Sequence, residues 1–72
     1  MKNILLGAEW CGPCKGVKKF LDQRGVRYTY IDVDTEEGMK LAGDWGVRAV
    51  PSMNVSGNII TGDSKIKDAF DE

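Results

Sequence analysis

Two cysteines three positions apart constrain this chain more than any other feature, and they lie in the segment Trp10-Cys11-Gly12-Pro13-Cys14. They are the only cysteines among 72 residues, so a single intrachain disulfide is possible. The chain-entropy model gives such a short loop about 2 kcal/mol of stabilisation, less than the roughly 3 kcal/mol of a 15-residue loop. The spacing is therefore poor for a structural crosslink, but it suits a reversible couple in which one thiol attacks a disulfide and the other releases it.

The composition limits the other classes of function. The chain, residues 1–72, is long enough for a single domain with a small core. Its formal net charge of -1 provides no long-range attraction for nucleic acid or a membrane surface. No apolar run approaches the ~20 residues of a spanning helix, and the first apolar run is too short for a signal peptide. We therefore expect a cytoplasmic monomer.

The hydrophobic pattern predicts the element order βαβαββα. Strands are expected at residues 4–7, 26–34, 52–55 and 59–60. The first helix is predicted to have Pro13 in its first turn. The second is capped by Asp34 or Thr35, and the third by Asp63 or Ser64. The inner faces of the three helices are predicted to contain Cys14, Val17, Phe20 and Leu21; then Met39, Ala42 and Trp45; and finally Ile66, Ala69 and Phe70.

This order predicts an α/β fold built on a mixed sheet. A βαβ unit joins two parallel strands by a right-handed crossover. The turn residues 56–58 predict an antiparallel hairpin beside them. We expect a four-stranded mixed sheet of order 2-1-3-4, with three helices on its two faces.

Cys11 and Cys14 flank the start of the first predicted helix. Residues three apart in a helix have Cα atoms ~5 Å apart, which is within disulfide range. Free N–H groups of the first turn stabilise a thiolate, and thiolates in such motifs have pKa values of roughly 3.5–7.5. Cys11 precedes the helix and should be exposed, whereas Cys14 lies on the inner face. Cys11 is therefore the predicted nucleophile and Cys14 the resolving thiol.

Other readings of the pair stay open. In the first, the two cysteines form half of a zinc site. Because the chain has no histidine and no second CxxC, that site would need two chains. In the second, Cys11 binds an iron–sulfur cluster shared by two chains. Pro13 disfavours this arrangement because it stiffens the loop. The third is a purely structural disulfide in a module that binds extended peptides.

Two segments resemble those of a known superfamily. Residues 8–15 (AEWCGPCK) look like the active-site segment of thioredoxins, and residues 46–51 (GVRAVP) look like the segment that carries a cis-proline in thioredoxins and glutaredoxins. The chain is therefore identified as a member of the thioredoxin/glutaredoxin superfamily, and the resemblance implies a thioredoxin-like fold over nearly the whole chain. Its length is similar to that of glutaredoxins and of the small redoxins that pass electrons to ribonucleotide reductase.

The resemblance implies a dithiol–disulfide oxidoreductase whose only redox group is the Cys11–Cys14 disulfide, without a metal or other cofactor. It also implies a cis bond between Val50 and Pro51, with the Val50 backbone free to bind an extended substrate. Protein disulfides are the implied substrates, and thioredoxin reductase or glutathione is the implied reductant. The implied substrate-binding residues are Trp10, Gly12, Pro13, Val50, Pro51 and Gly62.

The chain departs from both families at a few positions. Thioredoxins usually have a buried aspartate where this chain has Leu5, and the lysine that pairs with it aligns with Tyr30. Glutaredoxins often have a basic residue where this chain has Ala8, and a Gly-Gly-x-Asp turn where it has residues 61–64 (TGDS). These differences predict slow release of mixed disulfides at low pH, and they disfavour glutathione as the reductant.

Overall fold

The structure is a computed structural model that describes residues 3–71, so the chain ends of the predicted domain lie outside the described residues. Its sheet has the order β2-β1-β3-β4, with β1 parallel to β2 and antiparallel to β3, and with β3 antiparallel to β4. The predicted α/β fold and strand order are confirmed. In chain order the elements are β1 (Asn3–Gly7), α1 (Gly12–Gln23), β2 (Thr29–Asp32), α2 (Glu36–Trp45), β3 (Ser52–Val55), β4 (Asn58–Thr61) and α3 (Asp63–Ala69).

The main core lies between the sheet and the helices α1 and α3, which pack against each other. Leu5 of β1 points into this core, and its neighbour Leu6 is equally buried on the opposite face of the sheet. α1 follows β1 after a short loop, so this packing fixes the start of α1, and with it both cysteines, at the carboxyl end of β1. The buried residues of the main core are Leu5, Val17, Leu21, Met53 and Ile66.

Local signals set the ends of several elements. The Thr35 side chain caps α2 by accepting a hydrogen bond from the Gly38 N–H (3.0 Å), and Gly46 ends the helix with a positive φ of 71°. The hairpin turn places Ser56 and Gly57 at φ 53° and 97°, the left-handed region that two-residue hairpin loops require. These predicted boundaries are confirmed.

The second strand is shorter than residues 26–34, because local hydrogen bonds occupy its ends. The Val26 N–H donates to the Leu21 carbonyl (3.0 Å) and so belongs to the end of α1. At the other end, the Asp34 N–H donates to the Asp32 carboxylate (2.8 Å), which turns the chain toward α2. The prediction of strand structure at both ends was therefore wrong.

The inner face of α2 is rotated from the predicted one. Met39 is 57% exposed, and Trp45 and Ala42 are only half-buried, whereas Gly38 is the buried residue of the helix. One residue along a helix is a rotation of about 100°. Because Gly38 lies against the backbone of Asp32, the neighbouring Met39 points away from the sheet. The prediction of Met39 and Trp45 as core residues was wrong.

The last helix also differs in its details. Its N-cap is Gly62, without a side-chain hydrogen bond, so neither Asp63 nor Ser64 caps it. Ile66 is fully buried as predicted, but Ala69 is exposed. Phe70, the C-cap residue of the helix, is half-buried and packs against the main core as predicted.

Candidate active site

The Cys11–Cys14 disulfide lies at the N-terminus of α1. Cys11 is the N-cap residue, with φ -97° and ψ 109°, and its Cα lies 5.3 Å from that of Cys14. The Cys14 N–H donates to the Cys11 sulfur over 3.2 Å. A free N–H of the first turn therefore points at the sulfur that would carry negative charge after reduction, and helix termini favour anions at this end.

The two sulfurs differ in access. Cys14 is completely buried, and Cys11 retains 6% of its surface. The expectation that Cys11 is exposed was wrong, because Ala8, Val33 and Val50 pack around the disulfide. Cys11 is nevertheless the only one of the two cysteines that solvent or a substrate can reach directly.

Val50, the residue before Pro51, packs against the disulfide. The Val50–Pro51 peptide bond is cis, and Pro51 is buried. The Val50 carbonyl oxygen lies 3.8 Å from the Cys11 sulfur. A disulfide sulfur has no proton, so in the oxidised protein this approach is a packing contact; after reduction, a Cys11 thiol could donate to the same oxygen.

Two hydrogen bonds hold the loop of residues 49–51 in place. The buried Ser52 hydroxyl donates to the Ala49 carbonyl (2.6 Å), and the Gly62 N–H donates to the Pro51 carbonyl (2.9 Å). The second bond joins the loop to the start of α3. These contacts join five of the site residues predicted from the sequence into one cluster: Cys11, Cys14, Val50, Pro51 and Gly62.

Trp10 stands beside this cluster and is 69% exposed. Its indole Nε1–H donates to the Asp34 carboxylate (2.8 Å), so an exposed ring has a fixed position. Gly12 and Pro13 are exposed at the first turn of α1. These three residues form the outer edge of the site.

Asp34 is a site residue that the sequence analysis missed. The sequence pattern marks Asp34 only as a possible helix cap, but Thr35 is the cap and Asp34 binds the Trp10 indole. A usable signal was present, because the carboxyl ends of parallel strands lie at one edge of a sheet. β1 and β2 are parallel with Gly7 opposite Asp32, so the residues that follow β2 come close to the loop that follows β1.

Tyr30 lies on the inner side of the disulfide and was also missed as a site residue. A Cβ added to Gly7 would be 2.8 Å from the Tyr30 ring, 3.1 Å from its hydroxyl and 3.3 Å from the Cys14 Cβ. The Lys18 ammonium stands over the ring, 4.1 Å from its centroid. Burial raises the pKa of Tyr30, and negative charges nearby, Asp32 first, raise it further.

A groove in the structure lies away from the cysteines. The groove found in the described part of the chain has a volume of about 390 Å³ and lies near Asn3, Thr29 and Glu37, at the opposite ends of the strands. Within residues 3–71, no group of three or more acidic, cysteine or histidine side chains is arranged to hold a metal ion. No helix in the same range is long and apolar enough to cross a membrane.

Comparison with known families decides the assignment. The sequence profile of the glutaredoxin family matches residues 1–60. The chain belongs to the glutaredoxin family. It is thus a redox protein of the thioredoxin and glutaredoxin class with a CxxC pair, and members of this family are generally oxidoreductases.

Relatives from both branches are similar to this glutaredoxin-family chain. A glutaredoxin from Ricinus communis is 34% identical in an alignment of 64 residues that covers 82% of this chain and 63% of that protein. Thioredoxin H-type 2 from Nicotiana tabacum is 40% identical in an alignment of 48 residues that covers 62% of this chain and 41% of that protein. The chain therefore spans less than two thirds of the length of these relatives.

Solved structures agree with the fold. A crystal structure of a thioredoxin-like protein superposes with a TM-score of 0.82 at 24% identity, covering 97% of this chain and 100% of the other. The crystal structure of a buckwheat glutaredoxin–glutathione complex has a TM-score of 0.76 at 30% identity, covering 94% of this chain and 66% of the other.

Proposed function

We propose that the protein is a dithiol–disulfide oxidoreductase that reduces disulfides in other proteins. The observation that carries this proposal is the position of the Cys11 sulfur, which caps α1, accepts the Cys14 N–H and is the accessible member of the pair. A thiolate there has a helix N-terminus to stabilise it.

The proposed exchange has two steps. The Cys11 thiolate attacks one sulfur of the substrate disulfide, which forms a mixed disulfide and releases the other substrate sulfur as a thiolate. Cys14 then loses its proton to solvent and attacks the Cys11 sulfur, so the Cys11–Cys14 bond forms and the second substrate thiolate leaves. Two electrons pass from the protein to the substrate, and the released thiolates take protons from water.

A protein substrate suits the shape of the site. Cys11 reaches the surface beside the exposed Trp10 ring, and the Val50 backbone next to Cys11 can bind an extended segment as a strand would. Ribonucleotide reductase is one candidate, on the resemblance to small redoxins. A couple that acts as a reductant needs a reducing compartment, so the cytoplasm is the proposed location.

Thioredoxin reductase is the proposed source of electrons. The middle residues Gly12 and Pro13 are those of thioredoxins. Ala8, which replaces the basic residue of glutaredoxins, is 1% exposed and has no charge to offer a glutathione carboxylate. The Gly62 N–H is occupied by the Pro51 carbonyl, and Asp63 places a negative charge next to it.

Glutathione is the alternative reductant. It is favoured by the glutaredoxin profile match and by the likeness to a buckwheat glutaredoxin whose structure contains glutathione. The two reductants predict opposite results in a single type of assay.

The test follows NADPH consumption with insulin as the final disulfide acceptor. One reaction supplies thioredoxin reductase, and the other supplies glutathione with glutathione reductase. We expect turnover with thioredoxin reductase and little with glutathione. Turnover with glutathione alone would assign the alternative, and the matched control is the double variant Cys11→Ser/Cys14→Ser, which should be inactive in both.

The Trp10–Asp34 hydrogen bond gives a prediction about substrate binding. Asp34→Ala removes the acceptor and frees the indole, so we expect KM for insulin to rise about 2- to 10-fold with little change in kcat, as for the loss of one solvent-exposed hydrogen bond. The control is Asp44→Ala, which removes an equal charge from an exposed position of α2. An unchanged KM in Asp34→Ala would mean that Trp10 needs no fixed position.

A further inference from the structure

Among residues 3–71, no acidic side chain is buried, so the resolving cysteine has no buried acid beside it. Leu5, at the position of the buried aspartate of thioredoxins, is completely buried among apolar side chains. Cys14 is also completely buried, and burial disfavours the thiolate that must attack Cys11. Some other group must therefore favour the charged form of Cys14 if the second step is to run near neutral pH.

Tyr30 is the polar side chain placed to do this. Its hydroxyl and the Cys14 Cβ both approach the point where a Gly7 Cβ would lie, at 3.1 Å and 3.3 Å. Both groups therefore border the same small space, which is open because residue 7 is glycine. When the disulfide opens, the Cys14 sulfur is released from Cys11 and can rotate about its Cα–Cβ bond.

We propose that the Tyr30 hydroxyl donates a hydrogen bond to the Cys14 thiolate during the second step of exchange. This inference rests on the proposed oxidoreductase function. In that step the Cys14 proton goes to solvent, the Cys14–Cys11 bond forms and the bond from Cys11 to the substrate sulfur breaks. Tyr30 keeps its own proton throughout.

The surroundings of Tyr30 keep it a donor. Burial raises its pKa, and the negative charges of Asp32, Glu9 and Asp34 raise it further, so the hydroxyl stays protonated over the range in which thiols ionise. Lys18, from α1, is the cation that faces the ring, 4.1 Å from its centroid.

The test separates the two steps of exchange with dithionitrobenzoate and the reduced protein. Attack by Cys11 releases one thionitrobenzoate in a phase that depends on reagent concentration. Attack by Cys14 on the resulting mixed disulfide releases the second in a phase that does not. The rate of the second phase as a function of pH reports the ionisation of Cys14 alone.

Tyr30→Phe keeps the ring against Gly7 and removes only the hydroxyl. We expect the second phase to be about tenfold slower at pH 6–7 and the first phase to be unchanged, since a hydrogen bond to a charged group is worth about that factor. Above the ionisation range the difference should vanish or reverse, because a more basic thiolate is a better nucleophile. A merely structural role would slow the second phase equally at every pH.

Two further variants complete the test. Tyr28→Phe is the matched control, because the Tyr28 hydroxyl donates to Asp22 (2.9 Å) at the far end of α1, and both phases should be unaffected. Gly7→Ala puts a methyl group between the Tyr30 hydroxyl and Cys14 and should reproduce the slow second phase. An unchanged pH profile in Tyr30→Phe would overturn the inference, whereas failure of the wild type to reduce insulin would count against the proposed function instead.

Discussion

Cys14→Ser is expected to convert the protein into a trap for its substrates. Cys11 keeps its position as the N-cap of α1, because the N–H of residue 14 that donates to its sulfur belongs to the backbone. The variant should therefore still attack a disulfide, but nothing can attack the mixed disulfide that forms. We expect insulin turnover to fall by about 10³-fold or more, as when one member of a catalytic unit is removed. A covalent adduct of variant and substrate should appear by non-reducing electrophoresis and mass spectrometry.

Cys11→Ser is the matched variant. Only Cys14 then has a thiol, and Cys14 is completely buried. We expect equal loss of turnover with no trapped adduct. Adducts through Cys14 in this variant would show that the roles of the two cysteines are reversed, and turnover in either single variant would contradict the two-step exchange.

Gly38→Ala is expected to lower the free energy of unfolding sharply. A Cβ at this position would be 2.7 Å from both the Asp32 carbonyl carbon and the Val33 Cα, so α2 must move away from the end of β2. Overpacking usually costs about 1–3 kcal/mol, and contact with backbone places this case at about 3 kcal/mol or more. The measurement is the free energy of unfolding from urea denaturation.

Gly43→Ala is a control on the same helix. No heavy atom lies within 4 Å of the Cβ that it would add, and the residue is exposed. Because alanine is the better helix former, we expect a gain of about 0.5–1 kcal/mol. Similar stabilities of the two variants would contradict the close packing of α2 against the chain after β2.

Much of the fold follows from local signals in the sequence. The ends of α2 depend on Thr35 and Gly46, and the hairpin depends on Ser56 and Gly57, each of which acts within a few residues along the chain. The βαβ order then fixes the parallel pair and brings the cysteines to the end of β1. The cysteine pair itself could be predicted because its chemistry depends on spacing within a single helical turn.

The remaining features depend on distances between elements, which no local pattern contains. Met39 fits the helical period as well as Gly38 does, and only the approach of α2 to Asp32 decides which of them faces inward. Likewise, the burial of Cys11 depends on Val50, 39 positions further along the chain. The bond between Trp10 and Asp34 spans 24 positions and joins two loops.

The most direct test of the account is a redox titration of the Cys11–Cys14 pair. The protein is equilibrated in buffers of graded dithiothreitol potential, and the thiol content is measured by alkylation and mass spectrometry. If the pair is a reversible couple, we expect one two-electron transition at roughly -200 to -270 mV, the range of glutaredoxins and thioredoxin. A midpoint below about -300 mV is typical of structural disulfides, and it would contradict a reversible couple in this protein.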